Sequence, residues 1–157
     1  MKLIVKMFLL CAIGITLAFL WHANRERNVV VAKERSQVMA TRLYTGTDGL
    51  THLGEISLKF SPVAQASAAV EESEHIKATD AYVVRLVPGF FQSWHNADQR
   101  RYVVTLQGRA EIEVGGGEKL TTEVGQICLA EDLTGKGHTF RVVGNEDWVA
   151  LFVNFAP

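Results

Sequence analysis

Apolar residues along this chain follow two regimes: one nearly continuous run at the N-terminus, and from residue 41 onward short runs separated by polar, glycine-bearing turns. Met7 to Trp21 is interrupted only by Gly14 and Thr16, and with Leu3-Ile4-Val5 it approaches the ~20 residues that cross a bilayer core. A helix is the expected form, since a chain in lipid must satisfy its backbone internally. Residues 1–23 therefore read as a membrane anchor or signal segment. The pattern before Ala23 is a poor cleavage site because Trp21 stands two residues ahead of it. Retention as an anchor is the expectation, with a domain on the extracytoplasmic side; secretion after cleavage is the alternative. Lys2 and Lys6 are offset by Arg25, Arg27, Lys33 and Arg35, so the charge rule does not fix the orientation. Residues 24–40 alternate charge clusters with Val29-Val30-Val31-Ala32 and read as a juxtamembrane tether.

The remainder, 41–157, carries the strand pattern. Thr41–Tyr44 and Glu55–Phe60 flank a turn at Thr47-Asp48-Gly49 and predict a leading hairpin. Ser61 to Asp80 has no strand period and predicts a loop with one weak helical turn. Eight runs then follow: 82–87, 90–94, 102–106, 110–114, 120–123, 126–130, 139–143 and 148–154. Short runs with turns every ~8–12 residues predict an all-β sandwich or barrel. Ala110, Ile112 and Val114 alternate with Arg109, Glu111 and Glu113, giving one buried and one wet face. Tyr102–Leu106 is apolar on both faces and is expected inside the fold.

Composition changes this picture little. Of 157 residues 48% are hydrophobic and 21% charged, with a net charge of −1, so no basic field exists to attract nucleic acid. Cys11 lies inside the apolar run and Cys128 inside a strand-like stretch, contexts too different for a disulfide and typical of small buried side chains. No Ser-His-Asp order, phosphate-cradling loop or paired-cysteine zinc spacing is present. His22, His52 and His75 read as solvated side chains.

One spacing is specific. Gly89, five residues, His95, one residue, Ala97, three residues, Arg101, six residues and Gly108 reproduce the frame of the first cupin motif. Gly125 to His138 resembles the second motif, two residues longer, with Glu131 at the usual proline and without the terminal asparagine. The chain thus resembles the cupin superfamily from about Tyr82 to Phe155. The resemblance implies a double-stranded β-helix, or jelly roll, preceded here by the N-terminal hydrophobic helix.

In such proteins two histidines and a glutamate of the first motif and a histidine of the second hold a divalent metal; the matching residues here are His95, Ala97, Arg101 and His138. Alanine has no ligand atom, and arginine is a fixed cation where a carboxylate should neutralise the ion. The expectation is no metal, or iron, manganese, nickel or zinc held weakly by His95 and His138, with Asp98, Gln92, Glu131 or Asp132 as substitute ligands. If the strand is regular, Arg101 shares a face with His95, and a guanidinium beside imidazoles is a receptor for a carboxylate or phosphate. Internal pairing of Arg101 with Glu131 or Asp132 is the alternative of equal weight. The expected ligand-binding set is Arg101, His95, His138, Trp94, Gln92 and Glu131, in a pocket for a small, acidic organic molecule. Two other readings stand beside it: a metal-dependent dioxygenase, isomerase or lyase using His95 and His138, and a structural module that forms a homodimer through a barrel face.

Overall fold

The computed structural model describes residues 36–63 and 70–157, all of whose regular elements are strands. The anticipated anchor (1–23), with His22 and Cys11, and most of the tether lie outside the described residues. Among the described residues no helix is long and apolar enough to cross a membrane.

Twelve strands run in chain order: β1 (Val38–Thr45), β2 (Thr51–Leu58), β3 (Phe60–Pro62), β4 (Glu71–Ser73), β5 (Ala78–Leu86), β6 (Phe91–His95), β7 (Arg101–Gln107), β8 (Arg109–Val114), β9 (Lys119–Thr122), β10 (Ile127–Glu131), β11 (His138–Val143) and β12 (Trp148–Phe155). A six-stranded sheet has the order β2-β1-β10-β7-β12-β5, and a four-stranded one β6-β11-β8-β9. β1 and β10 pair in parallel, while the other ladders are antiparallel. Each sheet turns one apolar face to the other. Leu43, Cys128, Trp148 and Ala150 come from the larger sheet, and Ala110, Ile112, Val114, Phe140 and Val142 from the smaller, into one buried cluster. The alternation read from β8 is thus the inner face of the small sheet, and β7 is interior to the large one, between β10 and β12.

Three expectations shift. β1 starts at Val38, ahead of residue 41, because Val38–Ala40 continue the ladder against Ile56–Leu58. β2 starts at Thr51, directly after a turn closed by Gly46 N–H to the Leu50 carbonyl and by Leu50 N–H to Asp48 Oδ1. The span 61–80 is not a loop throughout: Phe60–Pro62 pairs with Glu71–Ser73, and β5 takes in Ala78–Asp80. Those residues are almost all exposed, so no buried face imposes a period on them. Ala78–Asp80 are strand because β12 offers Asn154 and Phe155 as ladder partners, a tertiary effect that overrides local composition.

Candidate functional site: a cavity between the two sheets

Period-two alternation decides which side chains meet between the sheets. On β7, Arg101, Val103 and Thr105 face inward, and on β10 Cys128 and Ala130 do, so these five line one cavity of about 380 Å³. That volume lies at the low end of the roughly 300–1,000 Å³ of small-molecule sites. Leu43, Ile112, Phe140, Trp148 and Phe152 supply apolar walls, while Gln92, His95, Asp98, Arg101 and His138 supply most of its polar rim. Cys128 is buried and free, and burial pushes its thiol up to about 12, which makes it a wall atom rather than a nucleophile.

The two motif histidines stand opposite one another. His95 and His138 are ladder partners, with ring centroids 4.4 Å apart. The ladder slips here: His138 faces His95, but Phe140 faces Gln92, so β6 carries one extra residue. This bulge exchanges the faces of the strand. Gln92 and His95 both line the cavity, and Trp94, expected as a ligand-binding wall, does not. The residue is 40% exposed, and its ring lies under the Lys136 ammonium, 3.9 Å from the ring centroid.

Each ring is fixed through its Nδ1. His95 Nδ1 lies 2.8 Å from the Ser93 carbonyl, an acceptor only, and must therefore carry the proton it donates. His138 Nδ1 donates to Asp132 Oδ2 at 2.7 Å. Asp132 is fully buried, accepts also from Thr51 Oγ1 at 3.1 Å, and leaves Oδ1 without a partner. A carboxylate in that setting is costly to the fold, and what it does there is hold His138 in one orientation. Both Nε2 atoms remain for the cavity. Burial holds His95 below the ordinary imidazole range, with His138 and Arg101 acting in the same direction against Ser93 and Asp132.

A close approach at Gly137 makes this placement achievable. Its φ is +74°, and a Cβ there would overlap the His95 carbonyl. Gly137→Ala should cost about 2–5 kcal/mol, combining left-handed strain with overpacking, read as a lowered thermal midpoint. A shift below 1 °C would show that the two strands do not depend on this contact. Gly108, which closes the first motif frame, is held likewise: φ is +70° and a Cβ would strike the Asp147 carbonyl.

Arg101 reaches the cavity by a different path from the one anticipated. Residues 96–100 are irregular rather than strand, so no shared face runs from His95 to Arg101; Arg101 faces inward as the first residue of β7. It is 7% exposed. Its guanidinium pairs with the Asp98 carboxylate, donates to the Gln99 carbonyl at 3.3 Å and the Tyr82 hydroxyl at 3.4 Å, and lies 5.4 Å from the Phe152 ring centroid. The anticipated partners, Glu131 and Asp132, are both engaged elsewhere. Glu131 follows Cys128 and Ala130 on β10 and so faces the other way, where Arg42 and Arg100 (2.8 Å) hold its carboxylate. It is not on the cavity wall and is withdrawn as a ligand residue.

Thr51, Tyr82, Trp148 and Phe152 were missed from sequence. Tyr82 and Trp148 carried a signal, each an aromatic at the start of an apolar run. His52 and His75 are bonded to Asp48 and Glu72 at the surface.

The metal site of typical cupins does not fit these side chains. Among the described residues no group of three or more histidine, cysteine, aspartate or glutamate side chains is arranged to hold a metal ion. Asp98 is committed to Arg101, and Asp132 to His138 and Thr51.

No family model matches the chain, and no curated protein does. Several solved structures resemble it. A conserved protein of unknown function from Streptococcus pyogenes is 25% identical over 49% of this chain, with a TM-score of 0.41; the match spans 63% of that protein. A cupin domain from Bordetella pertussis Tohama I is 18% identical, covering 62% of this chain and 94% of its own, with a TM-score of 0.41. The cupin domain of Schizosaccharomyces pombe Cnp3 is 12% identical, covering 80% and 88%, with a TM-score of 0.44. The described domain is itself a pair of facing β-sheets, of the architecture that its motif resemblance to cupins implies, and its β6–β11 ladder brings the two motif histidines face to face.

Proposed function

We propose that the domain binds a small organic acid in the cavity between its sheets, the carboxylate docking on Arg101. The observation that carries this reading is a guanidinium only 7% exposed, set in the wall of a largely apolar cavity of about 380 Å³. A buried cation is retained only when paired, and its present partner, Asp98, reaches it from a loop with a side chain 78% exposed. An incoming carboxylate takes the place of Asp98 and offers the bidentate geometry that arginine favours. In the same proposal the apolar N-terminal segment tethers the barrel to a membrane, on its extracytoplasmic side.

The test is calorimetric titration of the full chain, in detergent micelles, with benzoate, 3-phenylpropionate and succinate. Arg101→Ala should weaken the best acid by about 10–100-fold, the worth of a charge-assisted hydrogen bond. Arg101→Lys should also lose affinity, because it keeps the charge but not the fork. If no acid binds, or if the alanine variant binds equally well, the reading is wrong.

A second reading rests on the two Nε2 atoms left facing the cavity: a metal-dependent enzyme that holds its ion on His95 and His138. It needs donors from outside the described set, and stoichiometric metal after dialysis against a mild chelator would favour it.

A further inference from the structure

We propose that the cavity takes a hydroxycarboxylic acid with a ring-sized apolar body, its carboxylate on Arg101 and its hydroxyl donating its one proton to Nε2 of His95. The inference rests on the acid-binding reading and adds two features to it.

The first is the polarity of the histidine pair. Ser93 and Asp132 each take an Nδ1–H, so a neutral ring presents Nε2 as an acceptor. His95 is held towards the neutral form by its burial. Two acceptors facing each other across a ladder do not suit a second carboxylate, which has only lone pairs to offer. They suit a ligand O–H. An ammonium is the other donor, but it would enter a cavity whose wall already holds the Arg101 cation.

The second feature is the apolar wall of the same cavity. Val103, Ile112, Phe140, Trp148 and Phe152 line it, and Phe140 and Phe152 meet the Trp148 ring edge-to-face at 4.8 and 6.2 Å. A short, wholly polar hydroxy acid leaves this surface wet, whereas a phenyl or branched aliphatic body covers it. Specificity follows from unmet groups: a site built to accept from a hydroxyl discriminates against the analogue that lacks one.

Four probes separate the features in calorimetry on the full chain with chelator present: 3-phenyllactate, 3-phenylpropionate, lactate and phenylalanine. 3-Phenyllactate should bind about tenfold tighter than 3-phenylpropionate and at least tenfold tighter than lactate. His95→Phe should abolish the first preference while keeping the acid affinity, and His95→Gln, which retains an acceptor, should keep part of it. Thermal midpoints of both variants check that the barrel is intact. If 3-phenyllactate and 3-phenylpropionate bind equally, and Arg101→Ala weakens both, the hydroxyl assignment falls while the acid reading stands. Tighter binding of phenylalanine overturns the hydroxyl in favour of an ammonium, and a preference seen only without chelator assigns it to a metal. If none of the four acids binds the unmodified protein, the acid reading itself has failed.

Discussion

Ala97→His combined with Arg101→Glu is expected to turn a cavity that holds divalent metal poorly into one that binds it about 10²–10⁴-fold more tightly. Both positions line the cavity beside His95 and His138. The substitution supplies the third imidazole and the carboxylate that the cupin pattern calls for. It also removes a fixed cation. A dication about 5 Å from a guanidinium is repelled by about 6–7 kcal/mol at an effective dielectric near 20, and a carboxylate there reverses the sign. Only part of that difference survives as affinity, since a buried carboxylate must itself be desolvated. Asp98, released from Arg101, adds a second negative charge at the rim. Titration of Zn²⁺ or Mn²⁺ into chelator-stripped protein measures the effect. An unchanged affinity, or unmodified protein that already holds one ion per chain through dialysis, would show that the shell is completed by ligands other than these four.

Much of the fold was written in local pattern. Ala110, Ile112 and Val114 had to share a face, which holds because burial enforces the period of two, whereas Tyr102–Leu106, expected inside the fold, runs between two strands but leaves Leu106 48% exposed on its outer side. The motif frame likewise marked His95 and His138, which the β6–β11 ladder pairs. What stayed illegible depends on register and on partners far along the chain. Trp94 and His95 exchange faces through one extra residue in β6, and a bulge of that kind leaves no trace in composition. The pairing of Arg101 with Asp98 follows from an irregular segment, 96–100, whose path is set by tertiary contacts such as Asn96 donating to the carbonyls of Asp132 and Thr134. Glu131 is a different case. It shares its face of β10 with Ile127 and Leu129, and because both faces of that strand are apolar the local pattern does not mark which one meets the cavity.

Asp132→Ala should be the most destabilising single change near the site, at about 3–5 kcal/mol, the usual penalty for removing one member of a buried, hydrogen-bonded charged group. The carboxylate is fully buried and serves two donors, His138 Nδ1 and Thr51 Oγ1, from different strands. Alanine leaves both without an acceptor, at about 1–3 kcal/mol each, and opens a small void between β2 and the start of β11. For a barrel of this size the thermal midpoint should fall by about 10–20 °C. Asp132→Asn keeps the shape and one acceptor, so it should cost less than half as much. A direct readout of the lost orientation is the His138 ring itself. By nitrogen-detected magnetic resonance the wild-type proton should sit on Nδ1, and the alanine variant should show a mixture of tautomers. If Asp132→Ala unfolds the barrel, the asparagine variant still carries the test. The amide oxygen is a weaker acceptor than the carboxylate, so the Nδ1 proton resonance of His138 should shift upfield in that variant, whereas a carboxylate serving only Thr51 would leave the histidine signal unchanged.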